Sequence, residues 1–301
     1  KKTPLLRSMA TLDKQTKRVL ALFGKNPAHV TVNVGTEQEY FLISEKDYER
    51  RQDLIVCGRT LFGAPPCKGQ ELDEHYFGAI RPTVNSFMKE LDDELWGFAV
   101  AAKTKHNEVA PCQHELAPVF CNVNRAVDEN LLTMEMMKLL ASHHGLVCLQ
   151  HEKPFEGING SGKHNNWSFG TEDENLLDPG DTPEANLQFI VFLTCVIEAV
   201  DNYQDLLRMS VASCGNDHRL GAHEAPPAII SIFLGDELSS IIDALTSGET
   251  AAHTLREQLD FGVDVLPNLE RDTTDRNRTS PFAFTGNKFE FRMPGSSVNV
   301  S

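Results

Sequence analysis

The sequence has little with which to hold a metal by sulfur, cross a membrane or grip a polyanion. Its seven cysteines (Cys57, Cys67, Cys112, Cys121, Cys148, Cys195 and Cys214) include no C-x-x-C pair. The count is odd and the spacing unpaired, so no zinc framework is visible and the cysteines read as reduced thiols, mostly structural. The most apolar run, LQFIVFLTCVIEAV (187–200), is too short for a bilayer and carries Gln188 and Glu198, so it reads as a buried helix. Basic residues are outnumbered, 28 against 43 acidic, for a formal net charge of −15. That balance repels nucleic-acid phosphates. No repeat or low-complexity tract is present, and the opening residues do not follow a signal-peptide pattern. Neither nucleic acid nor membrane is an expected partner, and the expected location is cytoplasmic.

What is present is enough for a folded core: 301 residues, 41% of them hydrophobic. The chain starts at Lys1 rather than methionine and stops at Ser301 just after a strand-like segment, so it is expected to be a piece of a longer protein. Residues 11–24 have helical periodicity ended by Gly24, and 29–43 alternate as a strand. Helical patterns follow over 71–97, interrupted at Pro82, and over 127–145. A third helix is expected from a Thr182 cap with Pro183 in its first turn, running to about Leu207. Its core stripe would be Leu187, Ile190, Val191, Cys195 and Ile197. Strands are expected at 145–155 and 287–294, and a strand or short buried run at 226–235. Residues 236–275 are polar, partly helical and read as an inserted excursion. Strands and helices do not alternate with Gly-rich crossovers, so the expected class is α+β with a largely antiparallel sheet.

GINGSGKHNNWSFG (157–170) begins like a phosphate loop, but His164 stands where a Ser or Thr hydroxyl would hold magnesium. A strand-like segment follows rather than a helix. On a strand, His164, Asn166 and Ser168 share one face and Trp167 and Phe169 the other. Lys163 is expected to face solvent or phosphate.

Carboxylates supply partners for that histidine. Glu37 and Glu39 in GTEQEYF point to one face of a strand. Glu108 and Glu115 stand among apolar residues, close to Pro111 and Pro118, which argue against a helix there. In NKFEFRMPG, Lys288, Glu290 and Arg292 alternate with Phe289 and Phe291. Taken singly, these are a solvated pair, a moderate signal and a salt-bridged edge. Together, five glutamates and one imidazole suit Mg²⁺ or Mn²⁺, two of which would neutralise the crowding and bind nucleotide phosphates. Arg219, Arg276 and Arg278 suit a carboxylate substrate or a transferring phosphoryl group.

GAPPCKGQELDEHYFG (63–78), EVAPCQHE (108–115), NGSGKHNNWS (159–168), RLGAHEAP (219–226), RNR (276–278) and FEFRMP (289–294) occur in that order. The set resembles glutamine synthetase, most closely its long type III form, over nearly the whole chain. The resemblance implies a curved, largely antiparallel sheet flanked by helices, the fold shared with guanido kinases. It implies ATP-dependent joining of ammonium to L-glutamate through γ-glutamyl phosphate. By motif match, Glu39, Glu108 and Glu115 would hold one ion, and Glu37, His164 and Glu290 a second. Asn159 and Gly160 would contact the amino-acid end of glutamate, the glycines letting backbone approach it, and Arg219 and Arg292 would grip its carboxylates. Arg276 would stabilise the transferring phosphoryl group, and Ser168 and Arg278 would lie at the nucleotide. Glu224 would close over the intermediate and take a proton from ammonium.

The resemblance also implies a ring-shaped homo-oligomer, a dodecamer, for the full-length parent. The family's β-rich N-terminal domain and C-terminal part are missing from residues 1–301, and 236–275 resembles an insertion of the long type. Asn166 stands where short bacterial members have a second histidine, and Lys288 where many have arginine. The rival readings are a related glutamate–amine ligase, a non-catalytic regulatory relative and an inactive fragment.

Overall fold

Helix α1, Lys2–Leu22, begins well before the predicted residue 11 and stops ahead of Gly24, whose φ of +73° is open to glycine without strain. The alternating stretch after it becomes the long strand β1, Thr31–Ser44. These elements belong to a computed structural model that describes residues 2–248 and 280–301, with only the backbone of Gln258–Leu259 and Leu269–Glu270 between them. Short helices α2 (Glu45–Glu49), α3 (Gln52–Cys57) and α4 (Glu74–Phe77) lead to α5 (Pro82–Gly97). Pro82 starts α5 rather than interrupting a longer helix, because its missing N–H costs nothing in a first turn. Strands β2 (Ala102–Asn107), β3 (Gln113–Pro118) and β4 (Cys121–Asn122) precede α6 (Val123–Ala141).

Next come β5 (Leu146–Leu149), shorter than the predicted 145–155, and β6 (Lys163–Gly170). Helices α7 (Leu187–Asn202), α8 (Gln204–Ser210) and α9 (Cys214–Arg219) follow. The 226–235 run contributes only β7 (Ile232–Phe233), and the start of the 236–275 excursion is α10 (Asp236–Ser247). The last strands are β8 (Gln258–Leu259), β9 (Leu269–Glu270), β10 (Phe282–Phe284) and β11 (Phe289–Phe291).

β1 is the hub of a nine-stranded sheet, pairing antiparallel with β3, β4, β5 and β6 along its length. The path runs β2-β3-β1-β6-β11-β10-β7, and the β10–β7 pair is parallel. The α+β, largely antiparallel expectation therefore holds. Strand β11 lies between β6 and β10, so the ionic stripe of NKFEFRMP is interior to the sheet and not an edge.

Helices cover one face. Under its first part Phe87 and Leu91 of α5 and Met137 and Leu140 of α6 pack on Tyr40, Leu42 and Leu116. Farther along, α1, α7 and α10 deliver Leu20, Phe189, Leu193, Leu238 and Ile241 to Phe169, Phe282 and Phe289. The excursion thus begins with a helix anchored in the core.

The stripe predicted for the third helix is right at Ile190, which is buried, and at Ile197, which packs against the core, but wrong at Leu187 and Cys195. Leu187 and Cys195 are exposed, and the buried positions are Phe189, Ile190, Phe192, Leu193 and Val200. The start is also displaced. Pro183–Ala185 form a separate 3₁₀ turn, and Asn186, not Thr182, caps α7 by accepting from Phe189 N–H at 3.1 Å. All seven cysteines are free thiols. Among the described residues no helix is long and apolar enough to cross a membrane.

Candidate active site

The face of the sheet opposite the helices carries an acidic cavity of about 300 Å³. Period-two alternation puts Glu37 and Glu39 of β1 into it and sends Gln38 and Tyr40 to the back. Register adds the rest: Glu37 lies opposite His164 of β6, Glu39 opposite Glu115 of β3, and His106 of β2 opposite Glu115. Glu290 of β11 enters beside Asn166. Six glutamates and two histidines line the cavity once Glu108 and Glu224 are included, with Asn159, Gly160, Arg219 and Arg292.

Two compact groups of potential ligand atoms result. Glu37, His164 and Glu290 form one, with ligand atoms within 4.8 Å of one another. His164 Nδ1 lies 3.2 Å from Glu37 Oε2 and 3.3 Å from Glu290 Oε1. Asn166 donates to Glu37 Oε1 at 2.8 Å. Burial opposes charge on His164, yet its hydrogen bonding to the Glu290 and Glu37 carboxylates, which accept from the ring, holds it well above the usual histidine range. Glu290 is pulled the other way: burial would raise it, but His164 and Arg292, whose Nε is 2.9 Å away, bring it down to about 2.

His106, Glu108 and Glu115 form the second group. Sequence reasoning missed His106, although H-x-E on an extended segment shares a face just as E-x-E does. Its Nε2 lies 3.1 Å from Glu115 Oε1, and that bond raises it to about 9. Glu108 is pushed up to about 8 by burial, then by Glu39 and Glu115 nearby. Glu39, predicted in this ligand set, lines the cavity but turns Oε2 to the N–H of Gly162 at 2.7 Å.

The donors are oxygens with one imidazole per group, which fits Mg²⁺ or Mn²⁺ and not a thiolate-bound metal. Glu290 Oε2 is buried with no hydrogen-bond partner among the described residues. An orphan acceptor of this kind is costly unless a cation or donor meets it. The residues therefore fit a divalent ion.

Two glycines of the 157–170 stretch permit close approach within the chain itself. A Cβ on Gly160 would sit 2.3 Å from the Glu152 carbonyl oxygen, and one on Gly162 2.3 Å from Arg219 Nη2. What approaches these glycines is the chain's own backbone and Arg219. That arginine is buried, its Nη1 donating to Asn216 Oδ1 at 3.1 Å and the Met293 carbonyl at 3.2 Å, its Nη2 to the Arg292 carbonyl at 3.2 Å. Lys163 faces neither solvent nor phosphate. Strand parity turns it to the back of the sheet, where it is fully buried, and burial lowers it to about 7.

Ser168 lines an adjoining cavity of about 340 Å³ with Glu37, Asn166, Lys103 and Lys288. Tyr76, not singled out in the sequence, stands at the acidic cavity's mouth with its ring 5.6 Å from His106. Arg276 and Arg278 lie outside the described residues.

An antiparallel sheet that gathers carboxylates and imidazoles into one cleft, beside a second, lysine-bearing cavity, defines an acidic site whose donor atoms suit a divalent ion. The chain belongs to the glutamine synthetase family: the model of its catalytic domain matches residues 14–231. A glutamine synthetase of Butyrivibrio fibrisolvens is 56% identical over 98% of this chain and 42% of its own length. The type-3 glutamine synthetase of Dictyostelium discoideum is 52% identical over 100% of this chain and 41% of its own. The chain thus spans less than half the length of these relatives. A solved Plasmodium falciparum glutamine synthetase shares the fold, with a TM-score of 0.59, 15% identity and coverage of 95% of this chain and 51% of that one.

Proposed function

We propose that, within the full-length protein, this site joins ammonium to L-glutamate with hydrolysis of ATP, giving glutamine, ADP and phosphate through γ-glutamyl phosphate. The observation that carries the reading is the convergence of the cavity's glutamates and two histidines, in a chain of this family. Residues 1–301 are its catalytic domain, and 236–275 an insertion of the long type. The whole protein is a homo-oligomeric ring in which a neighbour's N-terminal domain completes each site.

Glu37, His164 and Glu290 hold one Mg²⁺ or Mn²⁺; Glu108 and Glu115, with Glu39 and His106, hold the other. When bound, the two ions offset phosphate charge and polarise the groups between which phosphoryl transfer occurs. Asn159 and Gly160 receive the amino-acid end of glutamate, and Arg292, at the cavity wall beside Glu290, grips its carboxylate. Arg219 adds positive charge and holds the 292–294 backbone through its carbonyl contacts. Ser168 and Lys288 face the nucleotide in the adjoining cavity, with Arg278, while Arg276 stabilises charge on the transferring phosphoryl group. The Glu224 carboxylate at the mouth takes a proton from ammonium, freeing the nitrogen lone pair to attack. Closure of its loop excludes water, which would hydrolyse the mixed anhydride.

Trapping with hydroxylamine tests this. Full-length protein given ATP, glutamate and Mg²⁺ or Mn²⁺ should make γ-glutamyl hydroxamate, and Glu290→Gln should lose about 100-fold or more of that activity while keeping its fold. A folded parent that binds ATP and Mn²⁺ but makes no hydroxamate would sink the ligase reading.

A further inference from the structure

Lys163 is the part of the glycine-rich stretch that the proposed chemistry leaves unused. It is fully buried on the helix-covered face, directly behind the strand positions of His164 and Glu37. Among the described residues its ammonium makes no ion pair. It donates instead to Asn130 Oδ1 of α6 at 2.9 Å and to the Val298 carbonyl at 2.5 Å, with Met134 Sδ 3.0 Å away. A residue needed only to fill this space would be leucine or methionine, since burying an ammonium without a counter-charge is unfavourable. Its three donors suit a junction between separate elements.

The junction reaches the acidic cavity through backbone. Gln38, the register partner of Lys163, sits between Glu37 and Glu39. Its Oε1 accepts from Asn130 Nδ2 at 3.2 Å and its Nε2 donates to the Ser296 carbonyl at 3.0 Å. The Lys163 N–H donates to the Pro294 carbonyl at 2.9 Å, two residues beyond Arg292. All of these side chains are buried. Moving 294–298 would therefore shift Glu290, Arg292 and the carbonyls that hold Arg219.

We propose that Lys163 is a positioning residue: from behind the sheet it locks β6, α6 and residues 294–298 into the one arrangement in which the front-face ligands converge on divalent ions. The inference rests on the reading of the cavity as a divalent-ion site.

The test uses full-length protein. Mn²⁺ affinity is measured without nucleotide by the loss of the free-ion paramagnetic signal, melting temperature by calorimetry, and ligase activity by hydroxamate. The variants are Lys163→Met, Lys163→Gln, and Lys163→Met combined with Asn130→Leu, which refills the junction with apolar contacts. The refilled variant should melt near the wild-type temperature yet bind Mn²⁺ about tenfold more weakly, with hydroxamate formation reduced to match. Lys163→Gln keeps a donor for Asn130 and should show a similar loss, which guards against a methionine variant that does not fold. Native Mn²⁺ affinity in any folded variant overturns the proposal. Failure of all three to fold assigns Lys163 to stability alone and overturns it too. Wild-type protein that binds Mn²⁺ but forms no hydroxamate defeats only the ligase reading. Wild-type protein that binds no Mn²⁺ defeats both.

Discussion

Asp53 is a buried carboxylate away from the cavity whose partners are all accounted for. Arg51 approaches it with Nε at 3.0 Å from Oδ1 and Nη2 at 2.6 Å from Oδ2, and the N–H groups of Leu54 and Leu61 donate to it at 3.0 and 2.9 Å. Arg51 also donates to the Phe62 carbonyl at 2.7 Å, so this ion pair ties the start of α3 to residues 61–62, just ahead of the GAPP segment. The Arg51 bonds, then the backbone donors, hold Asp53 well below the usual carboxylate range. A depressed carboxylate favours the folded state above its unfolded value of about 4, and that contribution is lost as pH falls through the folded value. Asp53→Asn is therefore expected to lower the melting temperature at pH 7 and to make the acid limb below about pH 4 shallower. An unchanged acid limb in a melting series from pH 7 to 2 would show that Asp53 does not contribute as described. The cavity residues teach a related lesson. E-x-E and the 164/166/168 face were legible because strand parity is local. His106 follows the same parity and was within reach, whereas the turn of Glu39 toward Gly162 depends on a loop from a distant segment.

At the level of elements, α7 separates what periodicity determines from what it leaves open. LQFIVFLTCVIEAV is apolar almost all round, so many stripes satisfy a 3.6-residue repeat and only the neighbours choose among them. Here the choice is made by Phe169 and Phe284, whose rings lie 5.5 Å from Phe192 and 5.9 Å from Phe189. Leu193→Ala should cost about 3 kcal/mol by chemical denaturation, whereas Leu187→Ala, at 63% exposure, should cost under about 0.5 kcal/mol. Asn186→Ala should cost about 1 kcal/mol through loss of the cap, and Thr182→Ala almost nothing. Equal losses at 187 and 193, or at 182 and 186, would restore the sequence-derived phase and start. Pro82 is the converse case. Its covalent chemistry forbids a helix interior, so a start at Pro82 was available from the residue type and only the continuity over 71–97 had to be corrected.

Across the whole molecule the dominant feature is excess negative charge, −15, part of it concentrated in one cavity. Burial and the carboxylates nearby push Glu108 up to about 8, and the Glu290 and Glu37 carboxylates raise His164 against the opposing effect of its burial. Divalent ions that bind the folded form alone must stabilise it, by about 2.7 kcal/mol at a hundredfold excess over the dissociation constant. Mn²⁺ should accordingly raise the melting temperature of the full-length protein by several degrees, and a chelator should reverse the shift. A melting temperature indifferent to Mn²⁺ at millimolar concentration would show that the cavity is not a cation site.

Residue chemistry by itself determined the antiparallel α+β class, the acidic front of β1, the faces of β6 and the order of motifs that marks the family. These depend on parity, proline and glycine geometry and spacing, all properties of short stretches. Tertiary structure alone decided that His106 joins Glu108 and Glu115, that β11 is interior, that α7 turns Phe189 and Leu193 inward, and that Lys163 is buried beneath the site. Each of those outcomes depends on which distant strand or helix lies alongside, and cross-strand register is an interaction between segments that no local pattern encodes.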